Sequence, residues 1–140
     1  MIKQISVFLE NKVGRLEAML NILADAEINI RAMTISEDDD NGTVRLIVNN
    51  PEKAEEVLTA NNFVVRTPLV IGVTVRDEPG AVRDALKIMS ENKINIRYLY
   101  PLVGCPHGNA NILVRVKDTE RSAEILKKAG VKLFTQADLS

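Results

Sequence analysis

Apolar residues recur along the chain with two alternating periods. Ile5, Val7 and Leu9 alternate with Ser6, Phe8 and Glu10, the period-two pattern of a strand with one face buried. The turn Asn11-Lys12-Val13-Gly14 ends it. Leu16, Met19, Leu20 and Leu23 then fall at helical spacing and predict a helix from about Gly14 to Ala26. A second strand is expected from Ile28 to about Ser36, a polar hairpin tip from Asp38 through Asp39, Asp40 and Asn41 to Gly42, and a third strand through Val44, Leu46 and Val48. Asn50 is placed to cap a helix whose first position is Pro51, where proline is best tolerated. Ala54, Val57 and Leu58 face inward on it, and Phe63, Val64 and Val65 form a short strand stopped by Pro68.

The second half repeats this order. Ile71, Val73 and Val75 open it as a strand, Asp77-Glu78-Pro79-Gly80 is the turn, and Val82, Ala85, Leu86 and Met89 line the helix. Ile96 to about Val103 is the next strand, Gly104 to Gly108 the hairpin tip, and Ala110, Ile112, Val114 and Val116 the third strand. Asp118 caps a helix ending near Gly130, and Val131 and Leu133 form the last strand. The halves stay in register from Ile5/Ile71 to Arg31/Arg97, with Gly14 matched by Gly80 and Ile28-Asn29-Ile30-Arg31 by Ile94-Asn95-Ile96-Arg97. The unit is about 66 residues, too long for a solenoid repeat and right for one small domain. Each half reads strand, helix, strand, strand, helix, strand, the ferredoxin-like order of the α+β class. We therefore expect two domains, 1–68 and 69–140. With only Thr67-Pro68-Leu69 between the halves, and with exposed sheet edges a hazard, one joined antiparallel sheet of about eight strands is expected, with four helices on one face.

Composition narrows the function. A net charge of -1 with no basic block excludes a nucleic-acid face, and Tyr98 and Tyr100 are the only clustered aromatics. No apolar run reaches the roughly 18 residues of a membrane span, and no leader pattern opens the chain, so no membrane partner is expected. The single cysteine, Cys105, rules out an internal disulfide framework and fits a reducing cytosol, so the expected location is cytoplasmic. Phe8, Ile47 and Leu113 fall on the strand face opposite the buried series and are the basis for expecting a homodimer.

The chain offers no catalytic constellation. Cys105 and His107 lie two apart, but zinc needs three or four protein ligands and the chain has no other His or Cys, so no metal site and no cofactor is expected. Cys105 has no oriented base, and Ser36, Ser90, Ser122 and Ser140 have no His partner in a comparable position. The acidic tip at Asp38 lacks the spaced ligands of a calcium loop. Gly14 and Gly80 serve a tight turn and close packing; free N–H groups at the helix starts that follow would also attract a carboxylate. Asn29 and Asn95 carry donors and acceptors where a strand enters the sheet, and either local backbone or a ligand can satisfy them.

Asp77-Glu78-Pro79-Gly80-Ala81-Val82 followed by Ile94-Asn95-Ile96 resembles the signature of the ACT domain family. The first half resembles it less closely, with Val13 where proline is usual. As two tandem copies, the chain is similar to small stand-alone tandem ACT proteins. The resemblance implies a non-catalytic, amino-acid-binding regulatory protein whose ligand lies where two domains meet. On that pattern Asn11 and Gly14 would face Asn95, and Asp77 and Gly80 would face Asn29, with the carboxylate at a helix start and side-chain oxygens on the ammonium. The second turn keeps the family pattern better. Val13 in place of proline puts the equality of the two sites in question. The expected partners are a free amino acid and a metabolic enzyme or a second copy. The alternatives are a regulatory subunit, such as that of acetolactate synthase, an enzyme with an unseen cofactor, and an adaptor with degenerate sites.

Overall fold

The computed structural model describes residues 1–10, 12–38, 41–104 and 108–139. The expectations placed on Asn11, Asp39, Asp40, Cys105, His107 and Ser140 fall outside these residues. The chain divides into two compact units, Lys3–Pro68 with Leu139–Ser140 and Met1–Ile2 with Leu69–Asp138.

In the first unit β2 (Ile5–Glu10), α1 (Arg15–Asp25), β3 (Ile30–Asp38), β4 (Asn41–Val48), α2 (Pro51–Ala60) and β5 (Val64–Arg66) follow the expected order. They form an antiparallel sheet of order β3-β4-β2-β5. Ile5, Val7 and Leu9 of β2 and Val44, Leu46 and Val48 of β4 point to one face, where Met19, Leu23, Ala54 and Leu58 of the two helices close a core. In the second unit β6 (Leu69–Arg76), α3 (Ala81–Glu91), β7 (Ile96–Pro101), β8 (Asn109–Val116), α4 (Thr119–Lys128) and β9 (Lys132–Phe134) repeat the arrangement, and a short 3-10 helix at Gln136–Leu139 follows. The core there is Ile71, Val73, Ile112, Val114 and Val116 against Ala85, Met89 and Leu126.

The strands make two hydrogen-bonded ladders rather than the one joined sheet expected. The chain crosses between them near its start. A two-residue strand, β1 (Ile2–Lys3), pairs with β6, and Gln4 then leaves that ladder by donating its N–H to Pro68 O at 2.9 Å. The chain resumes as β2 in the other ladder. β6 is therefore flanked by β8 on one side and by β1 and β9 on the other. The homodimer argument also changes. Ile47 and Leu113 are 0% exposed within the single chain, so they offer no face to a second copy, and only Phe8, at 43%, is open. Tyr98 and Tyr100 stack at 6.3 Å with Tyr100 buried, which makes them a packing pair on β7.

Among the described residues the four α-helices end in the same way, and of these α4 alone uses glycine. Glu27 donates to Ala24 O and Ile28 to Leu23 O, both at 2.9 Å, the paired bonds of a Schellman motif. Asn62 and Phe63, Lys93 and Ile94, and Gly130 and Val131 repeat these bonds at the ends of α2, α3 and α4. Each motif needs a left-handed residue, supplied at φ 59 by Glu27, 68 by Asn62, 58 by Lys93 and 83 by Gly130. The residue after it is apolar and returns the chain to the core, which explains the Ile before Asn29 and Asn95. A side chain in the left-handed region costs about 1–2 kcal/mol, and glycine gives back part of that as unfolded-state entropy. Lys93→Gly is therefore expected to stabilise the protein by about 0.5–1 kcal/mol, a rise of roughly 2–4 °C in Tm. A thermal melt showing a fall would contradict this account of the α3 end.

Candidate functional site

The two strand-to-helix turns are built alike. Gly14 at φ 89, ψ -8 and Gly80 at φ 85, ψ -8 are the N-cap residues of α1 and α3. Ahead of each, the first helical N–H turns back on the loop, Arg15 to Lys12 O and Ala81 to Glu78 O, both at 3.2 Å. Exchanging Pro79 for Val13 thus leaves the backbone unchanged, and Val13 itself is fully exposed. A Cβ on Gly14 would meet nothing within 4 Å, and one on Gly80 would meet only the end of the flexible Arg83 side chain, at 3.1 Å. Left-handed φ, not lack of space, selects glycine here.

A glycine N-cap has no side chain to satisfy the first-turn N–H groups, and among the described residues neither α1 nor α3 has a side-chain cap. The other two helices are capped: Asn50 Oδ1 accepts from Lys53 N–H at 3.2 Å and Asp118 Oδ1 from Arg121 N–H at 3.1 Å. Each unit therefore has one closed helix start and one open to an acceptor from outside, with the positive end of the helix dipole behind it.

The remaining sequence candidates lie at the surface. Asn29 and Asn95 are exposed, one residue ahead of β3 and β7. Asn29 is held through its backbone: its N–H donates to Asn49 Oδ1 at 2.9 Å, and its carbonyl accepts from Asn49 N–H at 3.1 Å. That leaves its side chain pointing outward. Asp77 is exposed and its N–H donates to Gly108 O at 2.9 Å.

A cleft of about 190 Å³ opens beside the first turn. Leu9, Leu16, Ile35 and Val44 form its apolar wall, and Glu10, Lys12, Arg15 and Glu37 its charged rim. Lys12 Nζ sits 3.0 Å from Glu10 Oε2, and this hydrogen bond, reinforced by the lysine charge, holds the Glu10 carboxyl below its usual range. The Arg15 guanidinium lies 4.7 Å over the Phe63 ring, which fixes the side chain without neutralising it. The cleft beside the second turn, about 330 Å³, lies on the other side of its helix, between α3 and β9, and carries Thr74, Arg76, Glu78, Asp84 and Lys132. Reading the sequence for turn residues finds Gly14 and Gly80 but not Arg15, Ile35 or Glu37. The available signal was Ile35, an aliphatic residue running into the acidic tip of its hairpin. Among the described residues no group of His, Cys, Asp and Glu could hold a metal ion, and no helix is long and apolar enough to cross a membrane.

The family model described as an ACT domain pair matches residues 1–140. The chain belongs to the ACT domain pair family. Among solved structures, protein BT0572 from Bacteroides thetaiotaomicron is similar over 99% of this chain and 94% of its own, at 36% identity and a TM-score of 0.92. The regulatory subunit of aspartate kinase from Thermus thermophilus, in a ligand-free form, covers 91% of both chains at 13% identity and a TM-score of 0.63. The aspartokinase alpha and beta subunits cover 91% of this chain and 92% of theirs at 17% identity and a TM-score of 0.57. At those identities the last two share the fold with this ACT pair. Comparison with curated proteins found no match.

Proposed function

We propose that this ACT domain pair is a non-catalytic regulatory protein that binds a free amino acid at its strand-to-helix turns and passes the bound state to a metabolic enzyme. The observation that carries the reading is the repeated open helix start. Gly14 and Gly80 adopt one conformation in both units and, among the described residues, leave α1 and α3 without a side-chain cap, while the neighbouring helices are capped by side chains. Backbone N–H groups with a helix dipole behind them take a carboxylate, and the exposed Asp77 beside Gly80 supplies an acceptor for an ammonium. The fold shared with the regulatory subunit of aspartate kinase supports a regulatory rather than a chemical role.

A thermal-shift screen of the twenty amino acids tests this directly. A ligand at 100 times its Kd adds about 2.7 kcal/mol of stability, a rise well above scatter. The residues are then tested by titration calorimetry. Asn29 is the strand-start amide of the ACT pattern, so Asn29→Ala is expected to remove hydrogen bonds to charged groups worth about 1.5–3 kcal/mol each. That is at least a tenfold rise in Kd. Because the Asn29 side chain is exposed, the fold should survive the change. Silence across all twenty amino acids would refute the binding role, and an unchanged Kd in Asn29→Ala would remove Asn29 from the site.

A further inference from the structure

We propose that the cleft beside Gly14 selects an amino acid with an apolar side chain, an inference that rests on the amino-acid-binding reading and adds its specificity. The two turns share a backbone but not a wall. The cleft beside the second turn lies on the other side of its helix and mixes charged and apolar residues, Arg76, Glu78, Asp84 and Lys132 with Val75, Ile88 and Val131. At the first turn the wall is Leu9, Leu16, Ile35 and Val44. Leu9 and Val44 are buried in the core, and Leu16 packs against it. Ile35 is not part of that core. It remains 51% exposed on β3, in register with Val44, and extends the apolar wall into the cleft.

The rim matches the other two groups of an amino acid. Lys12 and Arg15 are basic and stand at the start of α1, where a carboxylate is also favoured by the helix N–H groups. Glu10, whose carboxylate holds Lys12, and Glu37 bring negative charge to the mouth, which favours an ammonium. A zwitterion thus meets both signs of charge at the mouth while its side chain lies on the aliphatic wall. The volume, about 190 Å³, is below the roughly 300–1,000 Å³ of sites for drug-sized ligands and suits a molecule the size of a single amino acid.

Titration calorimetry with leucine, serine, aspartate and lysine as probes tests the selection, using the full chain and the variants Ile35→Asn and Ile35→Leu. Ile35 is largely exposed on an edge strand, so both variants should fold, which circular dichroism checks. Leucine is expected to bind the wild type, to lose at least tenfold in Ile35→Asn, and to keep its affinity within about threefold in Ile35→Leu. Binding of a polar or charged amino acid with leucine silent would overturn the selection and leave the amino-acid-binding role standing. Leucine binding indifferent to Ile35→Asn would likewise overturn it, by placing the ligand elsewhere. If none of the twenty amino acids binds, both proposals fall.

Discussion

Gly72→Ala is expected to destabilise the protein by about 1–3 kcal/mol, although the same change in an ordinary strand helps. Glycine inside a strand costs roughly 0.5–1 kcal/mol relative to alanine, so intrinsic preference favours the substitution. Gly72 lies in β6 between Leu113 of β8 and Phe134 of β9. A Cβ there would sit 2.7 Å from Ile2 Cδ1 and 2.7 and 2.8 Å from two carbons of the Phe134 ring. These are overlaps with a fully buried Ile2 side chain and with the ring of a buried Phe134, and overpacking of this kind costs about 1–3 kcal/mol. The overlap exceeds the propensity gain. Gly72→Val, with two more methyl groups, should cost more. Urea denaturation is the measurement, reading a lower midpoint at an unchanged slope. A neutral or stabilised Gly72→Ala would show that Ile2 and Phe134 yield freely and that the close approach is unimportant.

The second large effect comes from the other side of the same contact. Ile2 is completely buried, and Ile2→Ala should cost about 2–5 kcal/mol, the usual loss for a core aliphatic residue together with the cavity it leaves. The two changes share a contact and should not add. Removing the Ile2 side chain frees part of the space that a Cβ at residue 72 needs, so the double variant Ile2→Ala/Gly72→Ala should be more stable than the sum of the single losses predicts, by about 0.5 kcal/mol or more. Strict additivity would mean that the strain in Gly72→Ala falls on Phe134 alone.

Most of the fold was legible because its signals are local. The strand and helix periods, the caps at Asn50 and Asp118, and Gly130 at the end of α4 are read from a few adjacent residues, and each matches the structure. Long-range pairing was not legible. A two-residue strand such as Ile2–Lys3 has no period to detect, so neither its pairing with β6 nor the division of the strands into two ladders could be read from the short linker. Burial of Ile47 and Leu113 was missed for the same reason: alternation shows which face a residue is on but not whether that face is covered. Glu27 and Lys93 were invisible as helix-end residues because the motif was sought through glycine. At the candidate site, Gly14 and Gly80 stand out by recurrence. Arg15, Ile35 and Glu37 look like ordinary surface positions until the turn and the β3–β4 hairpin bring them to one cleft.

Each unit includes a few residues from the other half of the chain, and those residues meet positions that the repeat does not share. Ile2 of the first half is accommodated in the second unit because position 72 is glycine, whereas its counterpart in the first half is Ser6, which accepts a hydrogen bond from the buried Gln4 at 2.8 Å. Leu139, from the far end, belongs to the first unit, where its carbonyl accepts from Arg31 Nη1 at 2.9 Å; the counterpart of that arginine, Arg97, is exposed. A gene with the two halves transposed would encode the same residues, yet it would part Ile2 from the glycine that admits it and Leu139 from Arg31. The repeat has thus become directional, and inheritance must preserve the sequence in which its copies are read.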